Sequence, residues 1–160
     1  MQSQSMQNVL SENFKAIKFE KLFHKYITQI KDNNKNNKQK GSNGCIGVIG
    51  GSIEYTGAPF YSAISSLKSG CDLAHIFCHK EASIPIKSYS PELIVHPSFD
   101  DLMNEDLISK TKRWLKSMDF LTYGCGLGRE YPTKEIFEIF VKESLKIESI
   151  VLLFIVYLFY

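Results

Sequence analysis

Short unbroken apolar runs alternate along this chain with segments whose apolar residues recur every three to four positions. Cys45-Ile46-Gly47-Val48-Ile49 holds nothing polar, the pattern of a strand buried on both faces. Residues 59–69 follow the other rule. Phe60, Ala63, Ile64 and Leu67 fall at i, i+3, i+4 and i+7, one apolar stripe of a helix. Pro59 suits the first helical turn, and Gly70 suits the position just past the end. Residues 73–78, 93–95 and 119–123 predict three more strands. Residues 82–89 are ambiguous, a short helix ending near Tyr89 being one reading. Residues 102–116 predict an amphipathic helix with Leu107, Ile108, Trp114 and Leu115 available for its inner face. Residues 133–145 predict another, with Ile136, Phe137, Phe140 and Val141 on one side. Helical spacing also marks residues 19–30 through Leu22, Phe23, Tyr26, Ile27 and Ile30. Strands alternating with helices predict an α/β layered fold around a mostly parallel sheet with right-handed crossovers.

Two stretches break this rhythm. Residues 31–40, rich in Lys and Asn, read as a solvated linker; no aromatic is interleaved, which argues against a nucleic-acid arm. Residues 150–160 are apolar or aromatic throughout. They are too short for a bilayer span, which takes about 20 residues. They are long for a buried strand and carry no cap or polar tail. The expectation is an apolar tail outside the native fold, favouring self-association.

Composition narrows the classes further. The 160 residues suffice for one domain with a sizeable core, and a formal charge of +2 gives no argument for nucleic acid or an acidic membrane. Cys45, Cys71, Cys78 and Cys125 form no C-x-x-C pair and fit no zinc spacing, so they read as reduced, mostly buried thiols of an intracellular protein. The first 40 residues hold no apolar signal core. The expected location is cytoplasmic, with mitochondrial import left open.

Candidate chemistry gathers at two glycine turns. Gly50-Gly51-Ser52 and Tyr55-Thr56-Gly57-Ala58-Pro59 follow the first strand. Backbone amides there can approach a phosphate closely, with Tyr55 and Thr56 free to pack on a ring or bond a ribose. A tight strand-to-helix connection that needs glycine only for its geometry is the competing reading. Gly124-Cys125-Gly126-Leu127-Gly128-Arg129 follows the fourth strand, at the edge where open α/β sheets bind ligands. Arg129 is either an anion contact or a plain surface charge. Neither turn fits the dinucleotide fingerprint or the phosphate loop. Glu92, after Ser90-Pro91, reads as a local cap rather than a catalyst. His24, His75, His79 and His96 are scattered, with no metal spacing.

Four segments in register carry a resemblance. They are Lys40-Gly41 through Ser52 with Tyr55-Thr56-Gly57-Ala58-Pro59; Ser65, Leu67-Lys68, Gly70 and Asp72-Leu73; Ile86 through Pro97; and Gly124, Gly126-Leu127-Gly128-Arg129. Together they resemble the ATP-dependent NAD(P)H-hydrate dehydratases over roughly residues 40–145. The resemblance implies a ribokinase-like α/β fold. It implies repair of NADHX and NADPHX, the hydrated nicotinamide nucleotides, back to NADH and NADPH. ATP would phosphorylate the ring hydroxyl, phosphate would then leave, and Mg²⁺ would offset phosphate charge. Gly126 would contact the hydrated dinucleotide, Ala58 and Tyr55 would lie beside it, and Gly124 and Gly128 would shape the same wall. Cys125 departs from the family's usual proline, which should loosen the turn.

The resemblance breaks off near Ile147. The family's Asn-His-x-Glu-Phe segment, its ATP-holding Lys-Gly stretch and its Gly-Gly-x-Gly-Asp aspartate would all lie beyond Tyr160. The expectation is therefore a truncated fold in three parts: residues 1–40 as helix and linker, 41–149 as the N-terminal part of the dehydratase domain, and 150–160 as the tail. No catalytic, ATP-binding or metal residue is expected within the chain, and the isolated chain is expected to be inactive. The alternative is a non-catalytic dinucleotide-binding or self-associating fragment. No nucleic-acid or membrane partner is expected, and a homo-oligomer is left open. A related small-molecule kinase fits less well, because the Tyr-Thr-Gly-Ala-Pro and Ser-Pro-Glu segments resemble the dehydratases specifically.

Overall fold

The computed structural model describes residues 40–99, 105–128, 139–140, 142, 144 and 150–153. Strand β1 (Cys45–Ile49) leads to helix α1 (Gly57–Lys68), β2 (Leu73–His79), α2 (Lys80–Tyr89), β3 (Ile94–Phe99), α3 (Glu105–Leu115), β4 (Phe120–Tyr123) and β5 (Ile150–Leu153). The strands form one sheet in the order β3-β2-β1-β4-β5, and every neighbouring pair is parallel. The expected helix over residues 19–30 lies outside the described residues. Of the helix expected over 133–145, residues 139, 140, 142 and 144 are described, and all are helical.

Burial explains the apolar runs. Val48, Ala74, Ile76 and Cys78 cluster with Ala63 of α1 and Ala82 and Ile86 of α2 on one face of the sheet. Ile49, Phe77, Leu121 and Tyr123 cluster with Leu115 of α3 and Phe140 on the other. A parallel sheet covered on both faces needs central strands with no polar side, which is what β1 supplies. Polar side chains fix where the strands start. Asp72 accepts from the amides of Gly41 and Asn43 at 2.9 and 3.0 Å, and Asp119 accepts from the amide of Cys45 at 2.8 Å.

Helix α1 stops as its sequence predicts. Gly70 has φ +110°, its amide donates to the Leu67 carbonyl, and the Cys71 amide donates to the Ser66 carbonyl. Those two bonds form the glycine-closed C-terminal motif.

Three expectations change. The ambiguous segment is helix α2, which starts two residues early, directly after His79. Strand β3 extends past Val95 through Pro97 to Phe99. It is an edge strand, where a residue without an N–H costs no ladder bond on the open side. Residues 150–160 were expected to stand apart as a tail, yet Ile150–Leu153 pairs with Phe120–Tyr123 as β5. An unbroken apolar run is the signature of a parallel strand, and the neighbouring β4 offers it a free backbone edge.

Candidate functional site

The strand order places a topological switch beside β1. The chain winds from β1 to β2 and β3 on one side, then crosses to β4 and β5 on the other. Connections diverge at the carboxyl ends of β1 and β4, and ligands of open α/β sheets bind in such divergences. Both glycine turns of the sequence sit there, one after β1 and one after β4.

The two turns are stitched together through backbone. The Gly51 amide donates to the Gly126 carbonyl at 3.1 Å, and the Gly124 amide donates to the Ile49 carbonyl at 3.1 Å. On the other side the Gly50 amide donates to the Phe77 carbonyl at 2.9 Å, and the His79 amide donates to Gly51 at 3.0 Å. Glycine is required by proximity at Gly50, where a Cβ would collide with the Cys125 carbonyl oxygen. At Gly126 it is required twice. Its φ is +69°, and a Cβ would stand 2.8 Å from the Tyr55 carbonyl oxygen and 2.9 Å from the Tyr55 Cβ. Gly128 meets Ser52 in the same way, a Cβ there falling 2.9 Å from the serine Cβ and Oγ.

This stitching decides one alternative and sharpens an expectation. For Gly50 and Gly51 the two readings were ligand contact and a tight connection needing glycine for its geometry, and the structure favours the second, since both amides are engaged by protein carbonyls. The second turn differs. Among the described residues, no bond from another segment engages the amides of Cys125, Gly126, Leu127 or Gly128, and residues 125 and 126 form a turn of their own. Donors at a strand's carboxyl end that no neighbouring segment engages favour an acceptor or an anion. Tyr55 and Ala58 form the opposing wall. Tyr55 is 49% exposed, and the Ala58 Cβ lies 3.3 Å from the position a Gly126 Cβ would take.

Thr56 and Tyr89 form a link that the sequence does not signal, because their positions are 33 apart. Thr56 Oγ1 lies 2.8 Å from the Tyr89 hydroxyl. The Tyr89 ring meets Phe60 edge-on, with centroids 5.2 Å apart. Thr56 is the N-cap residue of α1, yet its side chain makes no capping bond. The usual donor at the third helical position is missing, since Pro59 occupies it.

The structure does not bring every candidate together. Glu92 lies two residues before β3, at the end of the sheet where strands begin, and its amide donates to Ser90 Oγ at 3.2 Å. Arg129 lies outside the described residues. His79 caps α2, its Nδ1 accepting from the Glu81 amide at 3.4 Å.

His75 and His96, scattered in sequence, meet across β2 and β3 on the face carrying α3. His75 Nδ1 lies 2.9 Å from His96 Nε2, with the rings stacked at 9°. Trp114 covers both, 5.5 and 4.9 Å from the two ring centroids. Phe77 stacks on His96 at 4.8 Å. Burial lowers both imidazole pKa values; His96, also repelled by His75, Lys110 and Lys87, falls to about 4. Both rings are therefore neutral near pH 7, one donating and one accepting.

Two thiols and one phenol are held protonated by burial. Burial, helped by Asp119, pushes the Cys45 thiol up to about 11, and burial pushes Cys78 up to about 12. Burial also raises the Tyr123 phenol, whose hydroxyl donates to the Phe140 carbonyl at 3.0 Å. Among the described residues, no three His, Cys, Asp or Glu side chains group to hold a metal, and no helix is long and apolar enough to cross a membrane.

Comparison with known proteins places the chain in a family and supports its fold. A family model described as NAD(P)H-hydrate dehydratase matches residues 46–152. An ATP-dependent (S)-NAD(P)H-hydrate dehydratase of Drosophila melanogaster is 57% identical over 95 residues, covering 59% of this chain and 31% of the fly protein. A protein of the same name from Entamoeba histolytica is 48% identical over 114 residues, covering 71% of this chain and 37% of its own. The chain thus spans about a third of the length of the curated relatives it matches. Among solved structures, a ribokinase-like superfamily protein from Enterococcus faecalis superposes with TM-score 0.57 at 21% identity, over 68% of this chain and 36% of that one. A hypothetic protein from Streptococcus mutans gives TM-score 0.57 at 22% identity, over 67% and 36%. The fold is ribokinase-like α/β. The family match runs into β5, in agreement with the place of Ile150–Leu153 in the sheet.

Proposed function

Because this chain belongs to the NAD(P)H-hydrate dehydratase family, we propose that it serves ATP-dependent dehydration of (S)-NADHX and (S)-NADPHX to NADH and NADPH, and that its switch-point turns hold the hydrated dinucleotide. The observation that carries this reading is the glycine turn after β4 at the switch point, whose amides from Cys125 to Gly128 no other described segment engages and whose Gly126 packs on Tyr55 and Ala58. A dinucleotide is rich in acceptors and carries a negatively charged pyrophosphate, so a glycine-rich turn with amides to offer suits it.

The roles of the residues follow from this geometry. Gly126 lets the turn pack directly on Tyr55 and Ala58, which fixes the two segments that border the substrate. Gly124 and Gly128 hold the turn in left-handed conformations at φ +101° and +76°. Ala58 bounds the site with a small side chain, and the exposed Tyr55 ring offers a flat face. In the overall reaction the ring hydroxyl becomes a good leaving group once phosphorylated, and its elimination restores the dihydronicotinamide. None of the described residues assembles a set fit for Mg²⁺. Their assigned task is to bind and orient the hydrated ring.

The test is direct. Purified chain is titrated calorimetrically with enzymatically prepared NADPH hydrate, then given ATP while the dihydronicotinamide absorbance is followed. Saturable binding supports the assignment of the turns to the hydrated dinucleotide, and binding without recovery is the result expected of this chain alone. Recovery of absorbance would overturn the expectation that the isolated chain is inactive, and no binding contradicts both the dehydratase reading and the dinucleotide-binding alternative.

A further inference from the structure

We propose that Tyr89 is a positioning residue for the dinucleotide wall, acting through Thr56. This rests on the reading of the switch-point turns as the dinucleotide site. Of the two residues that crowd Gly126, Tyr55 directly precedes Thr56 and Ala58 follows it after Gly57. Wherever Thr56 is held, that wall is held. No side-chain bond within α1 holds it: its side chain makes no capping bond, its ψ of −25° lies outside the extended range of a capping residue, and Pro59 removes one possible donor.

Its described side-chain bond is the 2.8 Å contact with the Tyr89 hydroxyl. Tyr89 is itself braced. It ends α2, and its ring packs edge-on against Phe60 of α1, with centroids 5.2 Å apart and planes at 71°. Phe60 thus fixes the ring while the hydroxyl reaches Thr56, the residue just before the helix start. The bond spans α1 and α2, so the end of α2 sets the position of the wall opposite the glycine turn. Tyr89 is 47% exposed. Replacing its hydroxyl should therefore loosen the wall without opening the core.

Tyr89→Phe keeps the ring packing and removes the hydroxyl. It is expected to weaken NADPH hydrate binding about fivefold, the scale of one lost hydrogen bond. Thr56→Val should do the same, Thr56→Ser should bind like wild type, and the double variant Thr56→Val with Tyr89→Phe should lose no more than either alone. Wild-type affinity in Tyr89→Phe, or losses that multiply in the double variant, would overturn the proposal. Hydrogen exchange without ligand gives a readout that does not depend on the dinucleotide reading. In Tyr89→Phe, exchange should rise in peptides spanning residues 55–58 and 125–128 and stay constant in β2. If wild type fails to bind the dinucleotide, the function falls, and exchange alone decides the clamp: faster exchange in both segments upholds it, unchanged exchange defeats it.

Discussion

The carboxyl edge of β1 and β4 and the α3 face of the sheet are built on opposite principles. At the edge, backbone touches backbone, and the side chains that would intervene have been removed. Gly50, Gly126 and Gly128 each stand where a Cβ would strike another turn. On the α3 face, side chains fill everything. His75, His96, Phe77 and Trp114 stack ring on ring, and Leu115, Leu121 and Phe140 complete the layer. The edge holds amides that no other described segment engages; the face pairs its two polar rings with each other. A region that pairs its own polar groups is a core, and one that leaves them open is a place for a ligand.

This contrast breaks if damage to either region has the same effects. Leu115→Ala, at a fully buried position of α3, should cost about 3 kcal/mol of stability by denaturant unfolding. It should leave NADPH hydrate affinity unchanged wherever the protein is folded. Gly126→Ala should cost less stability, about 1–2 kcal/mol for a left-handed backbone with a Cβ. It should weaken binding more than tenfold, because the added carbon moves Tyr55. Loss of affinity in Leu115→Ala, or normal affinity in Gly126→Ala, would erase the distinction.

The smallest effect concerns pH. Burial depresses the folded-state pKa of His96 to about 4 and lowers that of His75. Above the unfolded value of 6.5 both states are neutral and the stability of the pair is fully present. As pH falls from there toward 4, the unfolded chain takes up protons that the folded chain refuses, and stability declines. Urea midpoints measured across that window should fall with pH, and His96→Gln should flatten most of the slope. A midpoint independent of pH would show that the imidazole pair contributes nothing of the kind.

Periodicity made the elements readable where one rule governed a segment. The apolar run of β1, the stripe of α1 and Gly70 at its end each carry a local signal, and each stands where that signal pointed. The strand expected over 93–95 runs on through Pro97 to Phe99, and a proline is tolerated there because the strand lies at an edge, which is a property of the sheet. The run from Ile150 looked like a tail for the same reason: its partner β4 is 30 positions away. The glycine turns were visible, but which amides they leave open was not. That depends on which carbonyls the neighbouring turn presents, and only assembly of the sheet decides it. The Thr56–Tyr89 and His75–His96 contacts are cross-element meetings with no spacing rule to announce them.

The central claim is that the turn after β4 receives the hydrated dinucleotide. The most direct measurement is an amide NMR titration of isotope-labelled chain with NADPH hydrate, together with the histidine ring signals. The account predicts saturable shifts at Gly124, Gly126 and Gly128 and at Tyr55, with His75 and His96 unmoved. Shifts centred on the imidazole face, or none at the glycine turn at saturating ligand, would contradict it.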